Sequence, residues 1–234
     1  MHPILLDAAG HRRQPVTLPG YHAGRPPRNK GRRYPADPPT IEEIIAVMRT
    51  AGAGPDGMRL RALIVVLWRA GLRIGEALAL AETDLDGRRG AVLVRYGKGG
   101  KRREVGMDTW AWEQLEPWEQ LRIRFPVGPL FCVIHGPTAG RNWEPASARR
   151  QLGRTAAAAG VRRRFAPHQL RHAHAIEMAH ERIPLPIIQR QLGHAHLGVT
   201  SIYLQGIDNA EIIDAVHARR PPVIPATVGL RTAP

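Results

Sequence analysis

The residues of this sequence that could do chemistry are concentrated between residues 165 and 204. Among its side chains are the permanently charged Arg171, the histidines His168 and His194, and the tyrosine Tyr203. Histidine titrates near neutral pH, and a tyrosine hydroxyl can act as a nucleophile. An acid–base group, a cation, a second imidazole and a phenol are the groups needed to attack a phosphodiester. We therefore predict that this stretch contributes to a phosphodiester-cleaving site.

Helices predicted in this stretch would position those side chains. Pro167 suits the first turn of a helix, where its missing N–H costs no hydrogen bond. His168 and Arg171 follow at a spacing of three residues, which places them on one face of that helix. A second apolar run ends at Gly193, a residue typical of helix C-termini, and His194 comes directly after it.

Two more basic residues stand at predicted turns. Arg73 follows a glycine turn at Gly71 and begins a short predicted helix. Lys98 lies in the sequence GKGGK, at or beside the tip of a predicted β-hairpin. In isolation each has an ordinary structural interpretation, since Arg73 could pair with Glu76 and Lys98 could be a solvated turn residue.

The chain as a whole predicts an α+β fold class: mainly α with a small antiparallel β-sheet. Thr40 and Glu43 have the spacing of a capping box, so we expect ordered structure to begin at Thr40. The further elements expected are helices over 56–70, 71–80, 109–124, 146–159 and 210–216, and strands over 91–95, 102–105 and 130–134. Pro117 is expected to bend or break the third of these helices.

The amino-acid composition limits which partners and which cellular compartment are to be expected. The 234 residues include 34 Lys and Arg against 20 Asp and Glu, a formal net charge of +14, so nucleic acid is the first partner to consider. A hydrophobic fraction of 43% excludes a wholly disordered chain. Cys132 is the single cysteine, which excludes an intramolecular disulfide and favours a cytoplasmic location. With no membrane-spanning run and no signal peptide in the sequence, we expect no membrane partner.

Three regions are expected along the chain. Residues 1–39 carry eight of the 21 prolines, seven basic side chains and two acidic ones. They predict a disordered basic arm, which could lie on DNA phosphates or simply be solvated. Residues 40–217 would form the folded domain, and residues 218–234 would form a Pro-rich flexible tail.

Four motifs, taken in order, resemble those of the tyrosine recombinase (phage integrase) family. They are GLRIGEAL at 71–78, GKGGKRREV at 97–105, PHQLRHAHA at 167–175 and LGHAHLGVTSIYL at 192–204. One such motif alone would be weak evidence, but their shared order and spacing over residues 40–217 is specific. The resemblance implies the fold of the family's catalytic domain and the activity of a site-specific DNA recombinase.

The resemblance implies roles for the nucleophile and for the residues that bind phosphate. Tyr203 would attack the scissile phosphorus, giving a 3′-phosphotyrosine intermediate and a free 5′-hydroxyl. Arg73 and Arg171 would bind the non-bridging oxygens, where negative charge builds up in the transition state. A guanidinium suits this role because it gives paired hydrogen bonds and keeps its charge.

The resemblance also implies roles in proton transfer. His168 would help to remove the tyrosine proton, Lys98 would protonate the departing 5′-oxygen, and His194 would hydrogen-bond the phosphate or orient the site. Because phosphotyrosine keeps the energy of the phosphodiester bond, the 5′-hydroxyl of another strand can reverse the step. No ATP, no cofactor and no metal is then needed.

The histidines of this region allow a second interpretation. His168 and His172 have the i, i+4 spacing that can chelate zinc. Arg171 between them disfavours a divalent cation, and no carboxylate or cysteine completes a ligand set, so we expect no metal site. His172 is instead expected to support the site from behind the residues that touch the phosphate, as the histidine after the arginine does in the family.

The way in which the chain would hold DNA differs from the family pattern. Most members carry a helical DNA-binding domain ahead of the catalytic one, whereas 39 irregular residues precede Thr40 here. The basic arm, an accessory DNA-binding protein or another binding mode could substitute. The residues expected to contact the DNA backbone, with a solvated hairpin as the alternative, are Lys101, Arg102 and Arg103.

The resemblance further implies a homo-oligomer, a tetramer on two sites of double-stranded DNA. Residues 210–216 could dock on a neighbouring copy or pack on their own domain. Two other functions are open: a type IB topoisomerase-like enzyme, which needs one site, and a non-catalytic DNA-binding regulator on the same fold. The complete set of motif residues argues against the regulator, since a protein that only binds DNA does not need Tyr203.

Overall fold

Helices are the main regular structure among the described residues between Asp37 and Gly193. The computed structural model describes residues 37–97, 100 and 102–193. The helices are α1 (Ile41–Thr50), α2 (Pro55–Trp68), α3 (Ile74–Leu78), α4 (Thr109–Arg122), α5 (Pro145–Ala158), α6 (Pro167–His180) and α7 (Leu185–Leu192). The strands β1 (Leu85–Asp86), β2 (Ala91–Val94) and β3 (Arg103–Gly106) form one antiparallel sheet in that spatial order. The predicted fold class, mainly α with a small antiparallel β-sheet, is confirmed.

Helix α2 lies at the centre of the core. Its residues from Ala62 to Trp68 are at most 3% exposed, because apolar side chains cover every face of the helix instead of one stripe. Helices α4 and α6 pack on it, and α3 follows it directly. The two helices that carry Arg73, His168 and Arg171, α3 and α6, are therefore positioned by contacts with a buried central helix. Within the described ranges, no helix has both the length and the apolar character needed to cross a membrane.

The ends of the helices follow the sequence signals closely. Thr40 caps α1: its hydroxyl accepts from the Glu43 N–H at 3.3 Å, and the Glu43 carboxylate accepts from the Thr40 N–H at 2.8 Å. Pro167 occupies the first turn of α6. Gly193 ends α7 with a left-handed φ of 64°. The capping box, the proline start and the glycine stop are confirmed.

Strands β2 and β3 form the predicted hairpin. Val92 pairs with Val105, and both valine side chains are buried against the core. Strand β1 adds a third strand that the sequence did not reveal, because two residues are too few to show an alternating pattern. Lys98 and Lys101 of the predicted hairpin tip lie outside the described residues.

The prediction of a strand over residues 130–134 is wrong. Cys132 is buried as expected, but it makes one isolated bridge, with Asn142. The backbone groups of this segment bond to several separate segments instead of to one partner strand; for example, the Leu130 N–H donates to the Leu80 carbonyl at 2.7 Å. Buried backbone groups need partners, and here they find them without a ladder.

Pro117 does not break its helix, because α4 continues to Arg122. Pro117 is exposed, as is Glu113, whose carbonyl loses its helical donor at a proline four residues later. Water can replace that donor at the surface. Trp118, the next residue, is fully buried and donates from Nε1 to the Leu130 carbonyl at 3.0 Å, which holds the second half of α4 on the core.

Candidate active site

The structure brings Arg73, His168 and Arg171 to one cleft. The cleft has a volume of about 300 Å³ and lies where the start of α3 meets the start of α6. The residues that line it are Arg73, Ile74, Arg149, Arg164, Ala166, Pro167, His168 and Arg171. Four of these eight residues are arginines and none is acidic, so the cleft is suited to an anion.

Arg171 is almost fully buried, with 1% of its surface exposed. Its Nη1 donates to the main-chain carbonyl of Gly71, and its Nη2 donates to that of Leu192. The two contacts join α6 to the turn before α3 and to the last residue of α7. Hydrogen bonds from a charged donor contribute about 1.5–3 kcal/mol each, so these contacts fix the plane of the guanidinium firmly.

Arg73 lies at the N-terminal end of α3 and is bound to Glu76 in the third position of the same helix. The Glu76 carboxylate accepts from the Arg73 main-chain N–H at 3.0 Å and from Arg73 Nη1 at 2.9 Å. The pairing that the sequence offered as an ordinary interpretation of Arg73 is thus present. The Arg73 side chain remains 32% exposed toward the cleft, so the pairing and a ligand are compatible.

Glu76 binds a second arginine, Arg103 of β3. Arg103 Nη1 donates to Glu76 Oε1 at 3.0 Å, and Nη2 donates to Oε2 at 2.9 Å. Burial by itself raises the pKa of Glu76, but the hydrogen bonds and charges of Arg103 and Arg73 outweigh it and lower the pKa to about 2. Glu76 is therefore a fixed negative charge shared by two arginines at neutral pH.

His168 lies in the cleft with a neutral imidazole at neutral pH. Its pKa is below the usual value, because partial burial disfavours the charged ring and Arg171, Arg73 and Arg164 repel a second positive charge. A neutral imidazole can accept a proton. The His172 ring meets the His168 ring edge-on, with ring centres 4.6 Å apart at an angle of 80°.

Sequence reasoning missed two arginines of the cleft, Arg149 and Arg164. Both are exposed, and within the described part of the chain neither makes an ion pair or a side-chain hydrogen bond. Arg164 ends the basic run at 162–164 just ahead of Pro167, so the sequence did carry a signal for it. Arg149 had no such signal, because only the packing of α5 against α3 brings it to the cleft.

His174, one turn beyond Arg171, is buried behind the site. Burial, with Arg69 and Arg171 nearby, lowers the pKa of His174 to about 3, so its ring is neutral. A Cβ on Gly71 would lie 2.6 Å from His174 Cδ2, and Gly71 has a φ of 65°. The turn that supplies a carbonyl to Arg171 therefore requires glycine for both its conformation and its close contact.

Several predicted site residues cannot be placed from the structure. Lys98, Lys101, His194 and Tyr203 lie outside the described residues, and their roles stay predictions. Arg102 is described and exposed, and its contact with DNA also stays a prediction.

Comparison with known proteins points to one kind of relative. The model of the phage integrase family matches residues 37–209. The chain is 36% identical over 164 residues to tyrosine recombinase XerC of Rhizobium meliloti (strain 1021), covering 69% of this chain and 50% of that protein. It is 32% identical over 198 residues to tyrosine recombinase XerD of Mycobacterium leprae (strain TN), covering 80% of this chain and 62% of that protein.

A solved structure extends the comparison to the fold. The crystal structure of XerH site-specific recombinase bound to palindromic difH substrate matches with a TM-score of 0.65 at 28% identity, covering 80% of this chain and 54% of that one. The chain thus spans about half to two thirds of the length of the curated relatives that it matches. The region matched by the family model includes the cleft and extends past Tyr203.

Proposed function

The chain belongs to the phage integrase family, and on this premise we propose that it is a site-specific DNA recombinase that acts through Tyr203. The reaction would cleave and rejoin DNA strands through a 3′-phosphotyrosine intermediate. The observation that carries the proposal is the cleft in which α3 and α6 hold Arg73, His168 and Arg171 around one space. That space is lined by positive charge and is accessible to a DNA phosphate.

Arg73 and Arg171 would stabilise the charge that develops on the non-bridging oxygens. In the pentacoordinate transition state this charge increases, and guanidinium groups fixed in advance by protein contacts stabilise it without reorganising. Glu76 holds Arg73, and two main-chain carbonyls hold Arg171. Both side chains are therefore pre-oriented before DNA binds.

The proton transfers follow from the bonds that form and break. The Tyr203 oxygen bonds to phosphorus as the bond to the 5′-oxygen breaks. His168, whose neutral ring can take a proton at neutral pH, would help to remove the tyrosine proton, and Lys98 would give a proton to the departing 5′-oxygen. His194 would bind the phosphate or orient the site. The 5′-hydroxyl of another strand reverses the step, so the residues alone balance the reaction, without ATP or a metal.

Double-stranded DNA would be the substrate and the main partner. The net charge of +14 favours a polyanion, and the matched structure of XerH contains its difH substrate. We propose further that the chain works in the cytoplasm as a tetramer on two DNA sites. An accessory DNA-binding protein or the predicted basic arm at residues 1–39 would strengthen its binding to DNA.

A trapping experiment tests this function. Nicked duplexes with a randomised core, designed so that the cleaved strand loses its 5′-hydroxyl end by diffusion, are mixed with the protein in EDTA and run on a denaturing gel. We expect a covalent adduct with the wild-type chain and none with Tyr203→Phe. Sequencing of the trapped DNA would show whether one site is selected, as recombination requires, or many, as a relaxing enzyme would give. A wild-type chain that binds DNA without any adduct would be a binding protein, and the proposal would fail.

A further inference from the structure

One side chain, Arg103, contacts two of the segments that carry predicted catalytic residues and belongs to a third. Its guanidinium donates hydrogen bonds to both carboxylate oxygens of Glu76, at 3.0 and 2.9 Å, and its side chain is 15% exposed. The same carboxylate binds the N–H and the Nη1 of Arg73. Arg103 is therefore linked to the catalytic arginine through a single shared carboxylate.

The other side of Arg103 packs on the end of α7. A Cβ added to Gly193 would lie 2.8 Å from Arg103 Nε, so the two groups are in close contact and no larger residue than glycine fits there without movement. His194 is the next residue in the chain. Arg103 itself is the first residue of β3, the return strand of the hairpin that contains Lys98.

We propose that Arg103 is a positioning residue, which sets the place of Arg73 through Glu76 and holds β3 against α3 and α7, and is not primarily a DNA backbone contact. This inference rests on the proposed function and revises the sequence-based interpretation of Arg103. It leaves Arg102, the exposed neighbour, as the hairpin arginine that faces DNA.

The charge balance explains why Arg103 should matter for chemistry. Glu76 carries one negative charge shared by two guanidinium groups, so the three side chains together hold one excess positive charge. Without Arg103, Arg73 alone would neutralise Glu76, and less of its charge would be available to the phosphate. Glu76 would also lose the two hydrogen bonds from Arg103 that fix its carboxylate, so the Arg73 guanidinium bound to it could shift. A displacement of about 1 Å at a reacting site can cost roughly 10²-fold in rate.

The fold should survive the loss of Arg103, because other contacts hold the same elements together. The Gln191 side chain of α7 accepts from the Gly106 N–H at 3.0 Å and donates to the Gly106 carbonyl at 2.7 Å. This pair ties the far end of β3 to α7. Loss of Arg103 would thus loosen one end of the strand without detaching it.

Single-turnover adduct formation on the trapping duplex, at saturating protein, tests the proposal together with DNA affinity measured over a range of salt. We expect Arg103→Ala to slow adduct formation by about 10- to 100-fold, while its affinity and salt dependence stay close to wild type. Arg103→Lys, which keeps the charge but loses the paired geometry, should recover part of the rate. Arg102→Ala is the matched control and should instead weaken binding and flatten its salt dependence.

The outcomes separate the inference from the function on which it rests. A wild-type rate for Arg103→Ala, or a loss of affinity and salt dependence that matches Arg102→Ala, would overturn the positioning role and leave the recombinase proposal intact. No adduct with the wild-type chain would overturn both. If circular dichroism shows that Arg103→Ala does not fold, the rate of Arg103→Lys tests the positioning role instead. A folded Arg103→Lys variant with a wild-type rate of adduct formation would refute the need for the paired contact.

Discussion

Arg73 and Arg171 line the same cleft but are held in different ways. Arg73 keeps 32% of its side chain exposed and binds a carboxylate on its own helix. Arg171 is buried and binds the carbonyls of two other segments. Removal of a partly exposed guanidinium disturbs the core less than removal of a buried one that bonds to the main chain. Substitution of the two residues should therefore separate chemistry from stability.

Arg73→Ala should slow covalent adduct formation by about 10²–10³-fold, the usual effect of losing one donor to a developing charge. Its DNA affinity and its midpoint of thermal unfolding should change far less. Arg171→Ala should slow adduct formation at least as much. It should also destabilise the fold by roughly 2–6 kcal/mol, since each of the two buried carbonyls that loses its donor costs about 1–3 kcal/mol. Gel-based rates, filter binding and thermal denaturation measure the three quantities. Equal losses of rate and affinity in Arg73→Ala would contradict a role specific to the transition state.

At the scale of elements, the turn at Gly71 connects the two halves of the cleft. It ends the connection from α2, supplies the carbonyl that orients Arg171, and leads into α3 with Arg73 at its start. Its left-handed φ and the 2.6 Å approach to His174 leave no room for a side chain. A change at this position should therefore act on the site through the backbone.

Gly71→Ala should destabilise the protein by roughly 1–3 kcal/mol or more from backbone strain alone, with a further cost from the clash with His174. Adduct formation should slow as well, because the acceptor of Arg171 moves. Gly153→Ala is the control: Gly153 lies inside α5 with nothing within 4 Å of its added Cβ, and alanine there should be neutral or stabilising by about 0.5–1 kcal/mol. Urea unfolding of the two variants compares them. Similar stability for both would show that the turn tolerates a side chain.

The elements also show what the sequence could and could not predict. Signals carried by neighbouring residues, such as the capping box at Thr40 and the stop at Gly193, gave helix ends correctly because those contacts form within one helical turn. The motifs that resemble the family implied one site for Arg73 and Arg171, and both residues line the cleft. Contacts between distant segments left no local trace: Arg149 enters the cleft through helix packing, and Arg103 bonds to Glu76 across 27 positions. The strand expected at residues 130–134 failed for a related reason, since an apolar run reports burial but not a pairing partner.

At the scale of the whole molecule, positive charge is the dominant property. The formal net charge is +14, and the cleft adds Arg149 and Arg164 beside the two arginines of the motifs. If the proposed cleavage takes place in this cleft, the DNA would carry phosphates on either side of the one that is cleaved, and we expect the arginines on the wall of the cleft to contact them. Such contacts position a strand without reading its sequence.

Binding to DNA should therefore weaken steeply with salt, with a slope of log K against log salt of about −0.9 for each phosphate neutralised. Arg149→Ala and Arg164→Ala should each make this slope less steep by about 0.9, because each would remove one phosphate contact and its released counterion. Arg150→Ala serves as the control, since Arg150 is also exposed on α5 but donates to Ser147 at 2.9 Å and does not line the cleft. Its slope should match that of the wild-type chain. A wild-type slope near zero would rule out phosphate contacts as the source of affinity. Equal changes in all three variants would show that the phosphate contacts are not specific to the cleft.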